Sequence, residues 1–453
     1  MKRRTGGNAI DMLNGSLLDK ILLFALPLVA NSVLQQFLNT ADIAVVGSFA
    51  GSASMAAVGS NAIVISLFIT LFNGLAVGAN IVIARMIGAG RRGEIPSAIR
   101  SIFWLALSCG LFLTCAGQLA ARPLLILMST PEEVLPLAVT YLRIYFCGAP
   151  FVMVYSFSAA VLRGKGDSRR PLMALIGSGL INIALNLLFV AVFHMDVVGV
   201  ALATDISNAV RAFVVVLILL REEEGFRLVP GRPAIAREHL AEVARVGIPA
   251  GLQGVVFSLS NVAIQTVINS FGSKAAAGAA AAGNFQYLSY FVVAAFGQAA
   301  VTFISQNYAA RQYDRCRRVF RLALITQMAA TILVDIAFML TRNWYIRFFS
   351  ADPEVVRFAM IHLSCATAWN FLSGSYEVPA GALRGVGCSS LPAVITLLGS
   401  CAFRFFWVWA VVPAHRSFLT LMLCYPVTWV ITSVAMLTAW FLAARKRLPQ
   451  AMT

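Results

Sequence analysis

The sequence predicts an all-α membrane protein of about twelve transmembrane helices, arranged as two pseudo-symmetric six-helix lobes around a central cleft. Three observations predict it: the composition, the length of the apolar runs, and an internal repeat. Of 453 residues, 59% are hydrophobic and only 12% charged, with a mean hydropathy of +0.81. Soluble domains carry about 25% charged residues, so water cannot be the solvent for so much apolar surface. A helix needs roughly 20 apolar residues to cross the hydrocarbon core. The runs here are that long, and they lack the alternation that barrel strands require.

Twelve spans can be read along the chain. In the first half they cover residues 17–46, 55–84, 95–119, 136–162, 171–193 and 198–220. In the second half they cover 246–270, 276–306, 319–340, 356–383, 391–412 and 418–443. The basic start, Met1-Lys2-Arg3-Arg4, is followed by no small-residue cleavage site after a short apolar core, so no removable signal peptide is expected. Basic residues set the orientation. With both termini in the cytoplasm, the outer loops hold six of the 35 Lys and Arg: Arg122, Lys274, Arg342, Arg347, Arg357 and Arg416. Arg143, Arg211 and Arg404 are assigned to span interiors, which leaves 26 on the cytoplasmic side, Lys20, Arg100 and Arg321 at the cytoplasmic ends of their spans included. The net charge of +16 therefore faces anionic lipid. It is spread too thinly over separate loops for nucleic-acid binding.

Several classes are disfavoured. The eight cysteines form no Cys-x-x-Cys pair, and the four histidines, His194, His239, His362 and His415, show no metal spacing. No phosphate-binding loop appears. No cofactor and no catalytic residues are expected, and an intramembrane enzyme would need a His or acid cluster that the scattered histidines do not offer.

The halves repeat each other. Leu162-Arg163-Gly164-Lys165-Gly166-Asp167-Ser168 leads to Pro171, and Leu383-Arg384-Gly385-Val386-Gly387-Cys388-Ser389 leads to Pro392, at an offset of 221 residues. Ala25-Leu26-Pro27 matches Gly247-Ile248-Pro249 at an offset of 222. Six spans follow each start from the same side, so the repeat is parallel. The expected organisation is an N-lobe over residues 1–224, a cytoplasmic linker over 225–245 that includes Pro230 and Pro233, and a C-lobe over 246–453. Two such lobes suit alternating access.

Polar residues inside the spans mark the candidate site. Asp42, Asp205, Asp335 and Glu377 are the acids assigned to span interiors, with Asp19 at the very start of the first span; a carboxylate in the interior costs about 2.5–3.5 kcal/mol on insertion scales. Asn31, Gln35, Asn39 and Asp42 fall on one helical face about 80° wide, which reads as the wall of a cavity rather than as a single interhelical contact. Asn182 and Asn186 are one turn apart; Thr204, Asp205 and Asn208 follow on the next span. In the second half, Asn261 and Gln265 lie on a stripe without an acid, and Asn370 and Ser373 share a stripe with Glu377. Asp335 reads as an interfacial pair with Arg342. A carboxyl in such a place is a natural proton carrier that holds either a proton or a cation, not both.

These residues carry a resemblance. Asn14-Gly15-Ser16, Leu23-Phe24-Ala25-Leu26-Pro27-Leu28, Gln35-Gln36, Ala41-Asp42 and Val46-Gly47 resemble the first helix of the multidrug and toxic compound extrusion (MATE) transporters. Leu162-Arg163-Gly164-Lys165-Gly166-Asp167 resembles that family's loop after the fourth helix, and the likeness runs over nearly the whole chain. The resemblance implies secondary active efflux of amphipathic, mostly cationic small molecules, coupled to inward H⁺ or Na⁺. It places Asp42 at the family's first-helix acid, with Asn182 and Thr204 at polar positions of the N-lobe cavity. Asn186 departs from relatives that carry a second Asp there. The absence of any acid between Gly247 and Ser270 leans towards the DinF-like rather than the NorM-like branch.

The expected coupling group is thus Asp42, Asn182, Asn186 and Thr204, with Na⁺ near Asp42 as one form of the coupling ion. The expected substrate cavity is Asn31, Gln35, Asn39, Asp205, Asn208, Asn261, Gln265, Asn370 and Glu377. A monomer in the cell inner membrane, contacting membrane lipid and no nucleic acid, is expected. The alternative is a lipid-linked oligosaccharide flippase of the same wider fold group. Such a protein would favour a cationic cavity, whereas the acids assigned to span interiors outnumber the bases assigned there four to three.

Overall fold

The computed structural model describes residues 9–128, 130–229, 231 and 236–449. The basic residues Lys2, Arg3 and Arg4, and the linker's Pro230 and Pro233, lie outside them. All regular structure among the described residues is helical. The first half contains α1 (Leu18–Phe49), α2 (Gly51–Gly88), α3 (Ile95–Leu127), α4 (Leu135–Cys147), α5 (Ala149–Lys165), α6 (Arg169–Val192) and α7 (Asp196–Leu220). The second contains α8 (Arg237–Asn269), α9 (Ser273–Ala309), α10 (Tyr313–Phe349), α11 (Pro353–Cys365), α12 (Phe371–Gly385), α13 (Ser390–Ala414) and α14 (Phe418–Arg447). Among the described residues ten helices are long and apolar enough to cross a membrane, and the bent pairs α4–α5 and α11–α12, each taken as one span, bring the number to twelve.

Each predicted span falls on one of these helices or bent pairs. The helices outrun the apolar runs because backbone hydrogen bonding continues past the point where side chains turn polar. α8, for example, starts at Arg237, so residues 237–245 are its first turns. The bends have local causes. Gly148 separates α4 from α5, and Pro150 follows at the start of α5, giving a turn of 47°. A short 3₁₀ turn, Thr367–Trp369, separates α11 from α12 at 41°. The last turns of α6, Leu187–Val192, widen to π geometry just after Asn186, a feature that often accompanies functional sites.

The repeated Leu-Arg-Gly-x-Gly motif is a helix stop. The amides of Gly166 and Asp167 donate to the carbonyls of Arg163 and Leu162, and those of Gly387 and Cys388 donate to Arg384 and Leu383. Gly166 (φ +104°) and Gly387 (φ +91°) occupy the left-handed position that such a cap needs. After the first motif, Asp167 accepts hydrogen bonds from the amides of Arg169 and Arg170 and so starts α6. Arg170 pairs with Asp167 and Glu222, and Lys165 pairs with Glu222 at 2.5 Å. Cys388 stands where Asp167 does, so the second motif lacks this acid.

The chain divides into two compact units. One comprises Met1–Asp11 and Ala30–Gly251; the other comprises Met12–Val29 and Leu252–Thr453. Besides the break between Asp11 and Met12, the divisions fall inside α1 and α8, each two residues beyond an interior proline, Pro27 and Pro249. Proline removes one helical hydrogen bond and weakens the helix there. Within the first unit, α2 and the start of α8 approach backbone to backbone through Gly74, Gly78, Gly247 and Gly251. A Cβ on Gly74 would stand 2.1 Å from the Gly251 nitrogen, and one on Gly78 2.3 Å from the Val243 carbonyl oxygen. Small residues spaced by four are the usual means of such approach in membranes.

Candidate functional site

The first unit encloses a cavity of about 330 Å³. Its walls come from α1, α2, α4, α6 and α7. α1 supplies Gln35, Asn39 and Asp42, three of the four residues on the predicted stripe. α6 supplies Ser178 and Asn182, and α7 supplies Thr204, Ser207, Asn208 and Arg211. On α7 these recur at intervals of three, one and three, the spacing of a single helical face.

Asp42 is the acid among the lining residues, and it is 8% exposed. Asn186 Nδ2 donates to its Oδ1 at 2.5 Å, and Thr204 Oγ1 donates to its Oδ2 at 3.4 Å. The same Asn186 amide lies 3.4 Å from Asn182 Oδ1. Asn186 Oδ1 is buried and accepts no hydrogen bond among the described residues. Two side chains, Asn186 and Thr204, thus hold one carboxylate, Asn182 backs Asn186, and one buried acceptor is left over. Oxygen donors of this kind suit a hard monovalent cation, and they equally solvate a protonated carboxyl.

The cavity's cation is Arg211, 8% exposed, with its guanidinium 4.6 Å from the centroid of the Tyr155 ring. No ion pair joins it to Asp42 among the described residues. Tyr155 donates to the Pro171 carbonyl at 3.2 Å and accepts from Asn31 at 3.4 Å. Asn31 therefore serves the arginine's platform, one turn beyond the lining residues. Tyr141 and Tyr145, stacked at 6.3 Å, complete an aromatic wall.

A family-wide sequence profile described as MatE matches residues 27–188 and 249–409, the two repeats in turn. The chain belongs to the MatE family. It is 27% identical over 385 residues to the probable multidrug resistance protein YoeA of Bacillus subtilis, covering 83% of this chain and 82% of that one. It is likewise 27% identical over 385 residues to the probable multidrug resistance protein NorM of Thermotoga maritima, covering 84% and 82%. Among solved structures, the MATE transporter VcmN of Vibrio cholerae in its bent form superposes with a TM-score of 0.87 at 20% identity, over 95% of this chain and 98% of that one. The chain is thus a multi-pass membrane protein of a multidrug transporter family, not an enzyme.

In this MatE chain the remaining predicted residues lie elsewhere. Asp205 is one residue from Thr204 but turned by about 100° around α7, off the cavity face. Its carboxylate covers the α4–α5 joint, where a Cβ on Gly148 would meet Asp205 Oδ1 at 2.0 Å. The other four predicted residues belong to the second unit. There Asn261 accepts a hydrogen bond from Arg404 at 2.7 Å, and Gln265 donates to Asn269 at 3.0 Å. Asn370 donates to Ser289, which donates to Asp335 at 2.5 Å. Asp335 is therefore a buried acceptor, 3% exposed, rather than an interfacial partner of Arg342. Its face of α10 turns inward towards α9, where Ser289 bonds one carboxylate oxygen and the other, Oδ2, is buried and accepts no hydrogen bond among the described residues. Glu377 packs beside Gly297, where a Cβ would lie 2.8 Å from its Cγ. It is not joined to Asn370 and Ser373, which bond to each other.

Sequence reasoning missed Ser66, Thr70, Tyr141, Tyr145, Ser178, Ser207 and Arg211 as wall residues. The i, i+4, i+8 series Ser178, Asn182, Asn186 and the face Thr204, Ser207, Asn208, Arg211 were available signals. The tyrosines were not, since aromatic residues at helical spacing usually pack in cores.

Proposed function

We propose that the protein is a secondary active antiporter that exports amphipathic, mostly cationic compounds by alternating access, with H⁺ or Na⁺ exchanged at Asp42. The observation that carries this reading is a buried carboxylate on a cavity wall, held by Asn186 and Thr204 without a fixed cation beside it. Such a group is neutralised by a proton or a cation and relaxes when either leaves. A cavity of this volume falls in the range of small-molecule sites, about 300–1,000 Å³. The multidrug-resistance names of relatives support the substrate class. A flippase reading is not favoured by those names or by an acid in the cavity.

Residues 1–224 and 246–453 act as the two moving lobes, joined through 225–245. The lack of an acid between Gly247 and Ser270 supports a DinF-like branch. The chain works as a monomer, because its cavity is built from one chain. It lies in the inner membrane with both termini in the cytoplasm, as the basic asymmetry supports.

Proteoliposomes test the activity. An inward H⁺ or Na⁺ gradient should drive a cationic dye against its own gradient. Dye flux indifferent to both gradients would overturn the proposal. Orientation is tested in a cysteine-free background: Ala53→Cys and Ser417→Cys should react with an impermeant thiol reagent outside intact cells, whereas Gly90→Cys and Arg318→Cys should not. Outside labelling at residue 90 would reverse the assignment. Glu377→Gln is expected to lower cation efflux while leaving the protein folded in the membrane. Unchanged transport of several cations would reduce Glu377 to a packing residue beside Gly297.

A further inference from the structure

Two turns of this chain share one backbone and differ in side chains. After α2, the amides of Ala89, Gly90 and Arg91 donate to the carbonyls of Arg85, Ile87 and Met86. After α9, the amides of Ala310, Arg311 and Gln312 donate to those of Gln306, Tyr308 and Asn307. Every position is shifted by the repeat offset of 221. The left-handed residue of the first turn is Gly90, φ +73°; that of the second is Arg311, φ +58°. A residue with a long side chain seldom adopts this conformation. The turn's hydrogen bonds are met equally well by glycine, so the backbone gives no reason for an arginine. Strain held in place by its surroundings points to use of the side chain.

That side chain lines a recess of about 450 Å³ in the second unit, together with Arg315, Arg318 and the segment through Asn14 and Gly15. Arg315 fixes the segment: its guanidinium donates to the carbonyls of Met12 (3.2 Å), Asn14 (3.1 Å) and Gly15 (2.9 Å). Arg311 and Arg318 are exposed and enter no ion pair among the described residues. The one acid of the recess, Asp314, is engaged by Arg317 at 2.8 Å. At the matching positions the first repeat carries Gly90, Glu94 and Ser97 in place of Arg311, Arg315 and Arg318. The three arginines are therefore a property of the second repeat and not of the turn. Guanidinium forks match the oxygens of a phosphate, and the turn joins two membrane-spanning helices, at the depth of lipid headgroups.

We propose that this recess binds the phosphate group of an anionic phosphate ester, supplied either by a glycerophospholipid headgroup or by a soluble phosphomonoester. Assignment of a lipid source to the inner leaflet rests on the orientation proposed above; the phosphate chemistry does not. The test uses purified full-length protein in detergent, titrated with phosphatidylglycerol in one arm and with glycerol phosphate or inorganic phosphate in the other. Binding is read by thermal stabilisation and by native mass spectrometry. Stabilisation by phosphatidylglycerol alone assigns the lipid source; equal stabilisation by the soluble esters assigns the soluble one. Arg311→Gly relieves the strained backbone, so it should fold at least as well as the parent and yet bind about fivefold more weakly. Arg311→Gly with Arg318→Gln should be weaker again by a similar factor. Arg91→Gln, in the first repeat's turn, should change nothing. Undiminished binding by the double variant, an equal loss in Arg91→Gln, or no binding in either arm would overturn the site.

Discussion

Asp42→Asn is expected to abolish uphill efflux while leaving the protein expressed, folded and stable. Asparagine is nearly isosteric with aspartate, so the Asn186 amide keeps an acceptor at position 42 and the cavity keeps its shape. The structural cost is the difference between a hydrogen bond to a charged acceptor and one to a neutral acceptor, about 1 kcal/mol. Loss of the charge itself removes a buried carboxylate that has no ion-pair partner within the described residues, which offsets that cost. What disappears is the ability to exchange a proton or Na⁺. Uphill dye transport in proteoliposomes should therefore fall to background, while dye binding to the purified variant should persist within a few-fold. If Asp42 served only to pack α1 against α6, the asparagine variant would transport at near the parent rate. That result would sink the coupling role and leave the fold assignment intact.

Gly74→Leu and Gly251→Leu should each cost the protein its fold or its yield. The reason is backbone contact: a first side-chain carbon at position 74 already stands 2.1 Å from the Gly251 nitrogen, and one at 251 stands 2.2 Å from the Leu71 carbonyl oxygen. No rotamer relieves a clash made by Cβ. α2 and α8 must separate, and every contact along Gly74, Gly78, Gly247 and Gly251 loosens together. Ordinary overpacking costs about 1–3 kcal/mol, and a backbone clash exceeds that. Gly177→Leu is the control, because a Cβ there meets nothing within 4 Å. Monodisperse yield and melting temperature should fall sharply for the first two variants and stay near the parent value for the third. A Gly74→Leu protein that behaves like Gly177→Leu would show that α2 and α8 do not pack as described.

Much of the fold was legible because lipid imposes a simple rule. Backbone groups must be satisfied within the segment, so a long apolar run has one outcome, a helix. The repeat was legible for a similar reason: Gly166 and Gly387 are fixed by a left-handed helix stop that few other residues tolerate, and the arginine, serine and proline around them keep the register visible. The stripe of Asn31, Gln35, Asn39 and Asp42 could be read because polar residues on one face of a membrane helix need a common destination.

Neighbours were a different matter. The Asn186 side chain that holds Asp42 is 144 residues away, and a helical wheel ranks every polar face without naming its partner. Asp205 sits next to Thr204 in sequence, yet the rotation per residue along α7 sets its carboxylate against Gly148 and off the cavity face. The four-residue spacings Gly74 to Gly78 and Gly247 to Gly251 stood in the sequence, but nothing local says that these two pairs meet. Nor does it say that Asp335 takes a hydrogen bond from Ser289 instead of pairing with Arg342. The sequence by itself determined the solvent of this chain, its helices, its duplication and the polar stripe that ends in Asp42 on the first helix, because each follows from forces acting along a single segment. Tertiary structure alone decided which polar residues share a cavity with that acid, because this depends on how helices far apart in sequence turn towards one another, and hydropathy carries no record of those rotations.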